Sequence, residues 1–281
     1  MPRGIAVNVG LNRVDPTQYN PPLQVLRGCE NDARAMNAIA QAQGFETSML
    51  LADEAIHDNV TNNIATAAQI LQTGDIFLLT YSGHGSQVPD EIHGDDEDGM
   101  DETLVLFDRN MIDDELFALW ARFRAGVRIL FISDSCHSGT VAQIAAVDEG
   151  FFHTEPALLD DDGKPRLLKS VSSSAQQRHY AQFRGIYNTI RTALPDRSQV
   201  VVRASVIQLG ACQDDQKAAD GIRNSLFTGK LLRVWDNGAF GGDYIQFFNE
   251  ILSGMPAQQQ PNFFRVGPQS TAFESQPPFS I

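Results

Sequence analysis

The chain of 281 residues has only three cysteines, two tryptophans and 21 basic residues against 35 acidic ones. Each shortage excludes something. Cys29, Cys136 and Cys212 are odd in number and far apart, so they do not read as the disulfide framework of a small secreted domain. No Cys-x-x-Cys pair exists, which removes a structural zinc site. The basic residues are scattered rather than clustered, and a net charge of −14 argues against nucleic acid or an anionic membrane as partner. No apolar run approaches the roughly 18 residues of a membrane span, and the first residues show neither a charged nor an apolar leader pattern. A cytoplasmic protein with free thiols is therefore expected. Internal repeats are absent as well.

What is present is enough for a sizeable core: 42% hydrophobic residues, among them 17 Phe. Hydrophobic periodicity predicts a strand over Gly4 to Val9, a helix over Arg27 to Ala42 stopped by Gly44, and a strand over Phe45 to Leu51. A helix over Asp58 to Leu71 and a strand over Asp75 to Thr80 continue the alternation. Next come a short strand over Leu104 to Phe107, an amphipathic helix over Asp113 to Phe123 and a buried strand over Val127 to Ile132. The stretch from Asp148 to Arg203 carries no strand signal and reads as a lid, linker or other functional loop, with a polar helical segment around Arg178 to Arg191. Regular structure resumes with a strand over Ser205 to Gly210, helices over Ser225 to Trp235 and Tyr244 to Leu252, and a strand over Asn262 to Val266. Such alternation predicts an α/β fold with a mostly parallel sheet between helices.

Two of the strand predictions end in loops that carry a reactive side chain. Phe77 to Thr80 leads into Tyr81-Ser82-Gly83-His84-Gly85, and Val127 to Ile132 leads into Ser133-Asp134-Ser135-Cys136-His137-Ser138-Gly139. In an open α/β sheet both loops lie beyond the carboxyl ends of buried strands, where such folds place their sites. His84 and Cys136, 52 residues apart in sequence, thus become neighbours in space. Together they look like the two halves of a cysteine-peptidase active site, with Cys136 as nucleophile and His84 as its base. The Gly85 and Cys136 amides are the candidate oxyanion donors, because a glycine exposes its N–H with no side chain in the way. Other chemistries fit less well. A phosphatase loop needs Arg six residues after its Cys, and Ala142 stands there; the glycines around His84 do not make a phosphate loop.

The same segments resemble the caspase-like peptidases, and within them the metacaspases and the prokaryotic orthocaspases. Arg27-Gly28-Cys29-Glu30-Asn31-Asp32-Ala33, the His84 and Cys136 motifs, Asp98-Gly99-Met100-Asp101-Glu102 and Ile112-Asp113-Asp114-Glu115 carry the resemblance in order, joined by Ala211-Cys212-Gln213-Asp214-Asp215-Gln216. It implies a caspase-like sandwich, a central sheet of about six strands with helices on both faces, in a single domain over 1–281. Residues 1–147 correspond to a large catalytic part, 148–203 to an insertion and 204–281 to a small part. It also implies a Cys136–His84 dyad without a third member and an acidic primary pocket built from Asp32, Ser82 and Asp134, with Cys29 at its edge. Such a pocket takes Arg or Lys, whose charge pairs with carboxylates, and repels Asp. His137 is expected to point away from the nucleophile.

The acidic run from Asp95 to Glu102 invites a calcium reading, since clustered oxygens suit a hard cation. An EF-hand is excluded: with Gly99 at the sixth position, the end positions fall on Gly94 and Val105. The resemblance implies a calcium site from Asp101, Asp113, Asp114 and an acid seven residues after the nucleophile, where this chain has Gln143. A weak calcium site, with no cofactor required for activity, is the expectation. The resulting reading is a monomeric, self-processing endopeptidase acting on peptides or proteins with Arg or Lys before the cut. A catalytically silent scaffold, or a calcium-responsive interaction domain, competes with it. Lys164, Arg166, Lys169, Arg178, Arg184, Arg191 and Arg197 in the insertion are all available to the acidic pocket, so that segment is expected to cover the cleft and to be cut.

Overall fold

The computed structural model describes residues 1–91, 99–136, 158–159, 163–195, 199–213 and 216–281. Two β-α-β units open the chain: β1 (Gly4–Gly10), α1 (Cys29–Ala42), β2 (Glu46–Leu51), α2 (His57–Ile70) and β3 (Ile76–Ser82). Then follow β4 (Gly85–Pro89), β5 (Met100–Val105), β6 (Asn110–Ile112), α3 (Asp113–Trp120) and β7 (Arg128–Asp134). The remainder holds α4 (Ser173–Ala193), β8 (Ser205–Gly210), α5 (Leu226–Trp235), α6 (Tyr244–Ser253), β9 (Asn262–Val266) and the single turn α7 (Thr271–Glu274).

Six strands form the central sheet in the order β2-β1-β3-β7-β8-β9, all parallel except β9, which runs antiparallel to β8. Alternate residues of the middle strands enter two cores. Val7, Val9, Phe77, Leu79, Ile129 and Phe131 pack with α2 and α3 on one face. Ala6, Leu78, Leu130, Ile132, Ile207 and Leu209 pack with α1, α5 and α6 on the other. Burial on both faces is why these strands read as continuous apolar runs rather than as alternating ones. The fold is the expected α/β sandwich.

Two differences from the sequence reading bear on the site. Leu104 to Phe107 is not a strand of the central sheet; Met100–Val105 lies in a separate three-stranded antiparallel sheet, β4-β5-β6, with two strands that periodicity did not reveal. Both are short, and β4 begins at Gly85, directly after His84. Within the insertion, α4 is a 21-residue helix whose inward positions Ala175, His179, Phe183, Tyr187 and Arg191 recur every four residues. Tyr180, Phe183 and Tyr187 pack with Val88 and Ile112, docking α4 on the small sheet.

Candidate active site

Strand register builds the site. Gly10 pairs with Ser82 and Ser82 with Asp134, so the ends of β1, β3 and β7 are level. His84 and Cys136 each stand two residues further on, at the ends of adjacent strands. A Cβ placed on Gly85 would overlap the Cys136 carbonyl. Only glycine permits this approach, which holds the His84 loop hard against the nucleophile loop.

The pocket residues also meet. Ser82 Oγ donates to Asp32 Oδ2 at 2.7 Å, and both carboxylates are fully buried. Asp32, in the first turn of α1, also accepts from Asn224 Nδ2 at 2.9 Å, Ser225 N at 3.1 Å and Ser225 Oγ at 2.5 Å. Asp134 Oδ2 accepts from Thr228 N at 3.0 Å and Thr228 Oγ1 at 2.6 Å. Cys29 is buried beside Ser82, and burial pushes its thiol far above the usual cysteine range. Sequence reasoning missed Asn224, Ser225, Thr228 and Asp220. Asp220 accepts from the N–H groups of Arg27 and Gly28 at 2.6 and 3.0 Å and so fixes the entry to α1. The only signal for these residues was a polar cluster ahead of a helix, which any N-terminus can show.

The pocket is full. Lys169, from the insertion, is wholly buried, and its ammonium donates to Asp134 Oδ1 at 2.7 Å, Asp134 O at 2.8 Å and Ser82 Oγ at 2.9 Å, with Asp32 Oδ2 at 3.7 Å. Burial opposes its charge, but Asp134 and Asp32 outweigh that and hold Lys169 above the ordinary lysine range. Burial pushes Asp32 up to about 6, with Lys169 pulling it down and Asp134 adding to the rise. The backbone of Lys169 is bound as well. Its N–H donates to Ala218 O at 3.0 Å, and its carbonyl accepts from the Gly85 N–H at 2.9 Å. Isolated bridges join Leu168 to Ala219 and Ser170 to Gly85, so the strap is strand-like where it crosses the site.

Cys136 and His84 are close by but not joined: among the described residues no hydrogen bond links them. The Cys136 thiol contacts Ala218 O at 3.5 Å and its sulfur accepts from Ala218 N at 2.8 Å. Burial first, then the neighbouring Cys212 thiol, push Cys136 well above the usual cysteine range, so the sulfur is protonated here. His84 Nε2 faces Gln24 O at 2.7 Å and Nδ1 faces Lys169 O at 3.1 Å. A neutral ring can donate to only one of these carbonyls. Burial nevertheless dominates and lowers its pKa, while the two carbonyls resist. Of the candidate oxyanion donors, the Gly85 amide is taken by the Lys169 carbonyl.

The residues assigned to calcium lie on β5 and at the start of α3. Asp101 does not present a free carboxylate there: its Oδ2 accepts from Arg191 Nε at 2.9 Å and Nη2 at 2.6 Å. Asp114 is buried within electrostatic reach of Asp101, and Asp113 accepts from the Asp114 N–H at 3.1 Å. Glu115 caps the start of α3, accepting from the Ile112 N–H at 3.2 Å. Of the three residues, Asp101 thus already meets a guanidinium within the protein. His137, Gln143, Asp95 to Asp98, Arg197 and Asp214 to Asp215 lie outside the described residues.

A buried Cys and His thus stand just beyond the ends of adjacent central strands, beside a group of buried carboxylates, on a caspase-type sandwich. Comparison with known proteins agrees. The family model described as caspase domain matches residues 3–275. Metacaspase-1 of Saccharomyces cerevisiae is 30% identical over 232 residues, 73% of this chain and 53% of that protein. Metacaspase-4 of Arabidopsis thaliana is 27% identical over 227 residues, 77% of this chain and 49% of that protein. The chain thus spans about half the length of the curated relatives it matches. The crystal structure of protein GSU0716 from Geobacter sulfurreducens superposes with a TM-score of 0.87 at 43% identity, covering 99% of each chain. Caspase-1 from Spodoptera frugiperda shares the fold, with a TM-score of 0.55 at 13% identity over 95% of this chain and 86% of that one. The chain belongs to the caspase-domain family. No helix among the described residues is long and apolar enough to cross a membrane.

Proposed function

We propose that the chain is a cysteine endopeptidase that cuts peptide bonds after Arg or Lys and that the structure captures it blocked by its own insertion. The observation that carries this reading is the seating of Lys169. Its ammonium fills the acidic pocket and its carbonyl oxygen sits on the Gly85 amide, which is how the residue before a scissile bond would bind. An Arg substrate would replace the ammonium with a fork matched to Asp134 and Asp32.

In the open enzyme His84 takes the Cys136 proton, and the thiolate attacks the carbonyl carbon of the basic residue. The tetrahedral oxyanion is stabilised by the Gly85 and Cys136 amides. Collapse breaks the C–N bond as His84 returns the proton to the leaving amine, which leaves a thioester on Cys136 that water hydrolyses. Displacing the strap must come first, because the buried thiol is protonated and the imidazole is directed at carbonyls. Cleavage within 148–203, after Lys169 in particular, would remove the block. Activity then scales with the fraction of chains whose pocket is free. The protein would act as a monomer in the cytoplasm.

Hydrolysis of an Arg-ended fluorogenic peptide by wild type, Cys136→Ala and His84→Ala tests the reading. Wild type should cleave, and each variant should be inactive while keeping a wild-type circular dichroism spectrum, since the two groups act as one unit. Cys136→Ala turning over within about tenfold of wild type would remove the mechanism. No cleavage by wild type, even with Lys169→Ala, would favour the silent-scaffold reading.

A further inference from the structure

We propose that Arg191 is the resident cation of the acidic site on β5 and α3, a guanidinium tethered to α4 that stands where a divalent metal would otherwise be held. Arg191 lies in the last turn of α4, at the inward end of the helix's four-residue stripe, and its side chain is fully buried. It meets Asp101 through both Nε and Nη2, with Asp90 Oδ1 at 3.7 Å from Nε. The Asp90 and Asp101 side chains are as buried as the guanidinium. Asp114 adds a further buried carboxylate near Asp101, and Asp101 Oδ1 has no hydrogen-bond partner among the described residues.

Several carboxylates brought together away from water repel one another unless a cation stands among them. A metal ion can fill that role, and so can an arginine, which cannot lose its charge and presents a fixed fork to a carboxylate. The helix terminus favours it further, because the partial negative charge at the end of α4 attracts a cation. The tether also has a structural consequence. Asp101 is paired with Val88 across β5 and β4, and β4 starts at the Gly85 amide. Arg191 thus binds the helix that follows the Lys169 strap to the small sheet that carries a candidate oxyanion donor, without any ion from solution. This inference concerns stability and metal binding and stands apart from the peptidase reading.

The test is thermal unfolding in chelator and in about 5 mM calcium, the level at which weak oxygen sites fill. The quantity read is the calcium shift that depends on Asp101, measured in wild type, Arg191→Ala, Asp101→Asn and the double variant. Wild type should show none, meaning that any shift is the same in Asp101→Asn. Arg191→Ala in chelator should melt roughly 6 °C or more below wild type, because carboxylates lose their buried partner. Calcium should restore at least half of that loss, and the double variant should melt above Arg191→Ala in chelator without regaining a calcium shift. Arg191→Gln provides a second neutral variant with a near-native shape should Arg191→Ala not fold. An Asp101-dependent calcium shift in wild type would overturn the proposal, since the site would then take metal with Arg191 present. So would calcium failing to stabilise either neutral variant through Asp101.

Discussion

The insertion delivers two buried cations to two nests of carboxylates, and the nests are built differently. Lys169 enters a pocket already furnished with neutral donors: Asn224, Ser225 and Thr228 satisfy Asp32 and Asp134 from the far side. That pocket can lose its ammonium and remain hydrogen-bonded. Around Arg191 the fork itself is the principal donor to Asp101, whose other oxygen has no hydrogen-bond partner among the described residues. This site depends on its cation. The chemistry of the two side chains agrees with that division, since lysine is a point charge on a flexible stem and arginine a rigid, permanently charged fork. A ligand meant to be exchanged and a fixture meant to stay are thus distinguishable from which groups complete the carboxylates in the cation's absence.

The largest effect that would sharpen the comparison is expected at Asp134. Asp134→Ala removes the carboxylate nearest the Lys169 ammonium, at 2.7 Å, and the specificity constant for Arg peptides should fall by roughly a hundredfold or more, as when one member of a desolvated charge pair is truncated. Steady-state kinetics on Arg and Leu peptides check it. A comparable loss for both would mean that Asp134 supports the fold rather than selects the side chain.

Lys169→Ala should act in the opposite direction. If the strap is an exchangeable occupant, the intact variant should cleave without a lag, at an early rate about tenfold or more above that of uncut wild type, in proportion to the freed fraction. Its stability should fall less than that of Arg191→Ala, because the neutral donors remain. Denaturant melts of the two variants, side by side, decide whether the nests differ as described.

A smaller effect is expected from pH. The Asp32 carboxyl is raised, to about 6 with Lys169 in place, by burial first and by Asp134 next. Its protonated form is therefore favoured in the fold, and between the ordinary Asp range and that value the folded protein binds more protons than the unfolded one. The Asp32 contribution to stability consequently declines as pH rises through that window. Affinity for a basic side chain runs the other way: it needs the carboxylate, which lies higher still once Lys169 has left, so KM for Arg peptides should rise by a few fold as pH falls from 7 to about 5. A KM that stays flat from pH 7 to about 5 would show that Asp134 alone holds the cation.

Much of this architecture was legible in the sequence, for identifiable reasons. Strands buried on both faces leave continuous apolar runs, which is why β8 was located to the residue and β3 and β7 within two. The small sheet was not legible, because β4 and β6 are only five and three residues long and too short to show a period, with Val88, Met111 and Ile112 as their apolar contacts. At the site, His84 and Cys136 stood out because each follows a strand prediction in a small-residue loop, whereas Asp32, Ser82 and Asp134 came from the family resemblance; the fold brings the last three together around Lys169. Lys169 and Arg191 were two among the eight lysines and arginines of 148–203, and nothing local distinguishes them from Arg184, which pairs with Glu91 at the surface. Their partners lie far away in sequence, 35 residues from Lys169 to Asp134 and 90 from Arg191 to Asp101, so only the folded chain reveals the pairing.

The most direct test of the central claim, that Lys169 occupies the site as a substrate would, is to incubate intact wild type and Cys136→Ala side by side and sequence the new N-termini. A fragment beginning at Ser170, formed by wild type and absent from Cys136→Ala, is the result the account requires. Wild type that reaches full activity on Arg peptides with the Lys169–Ser170 bond whole and no change on replacing Lys169 would contradict it.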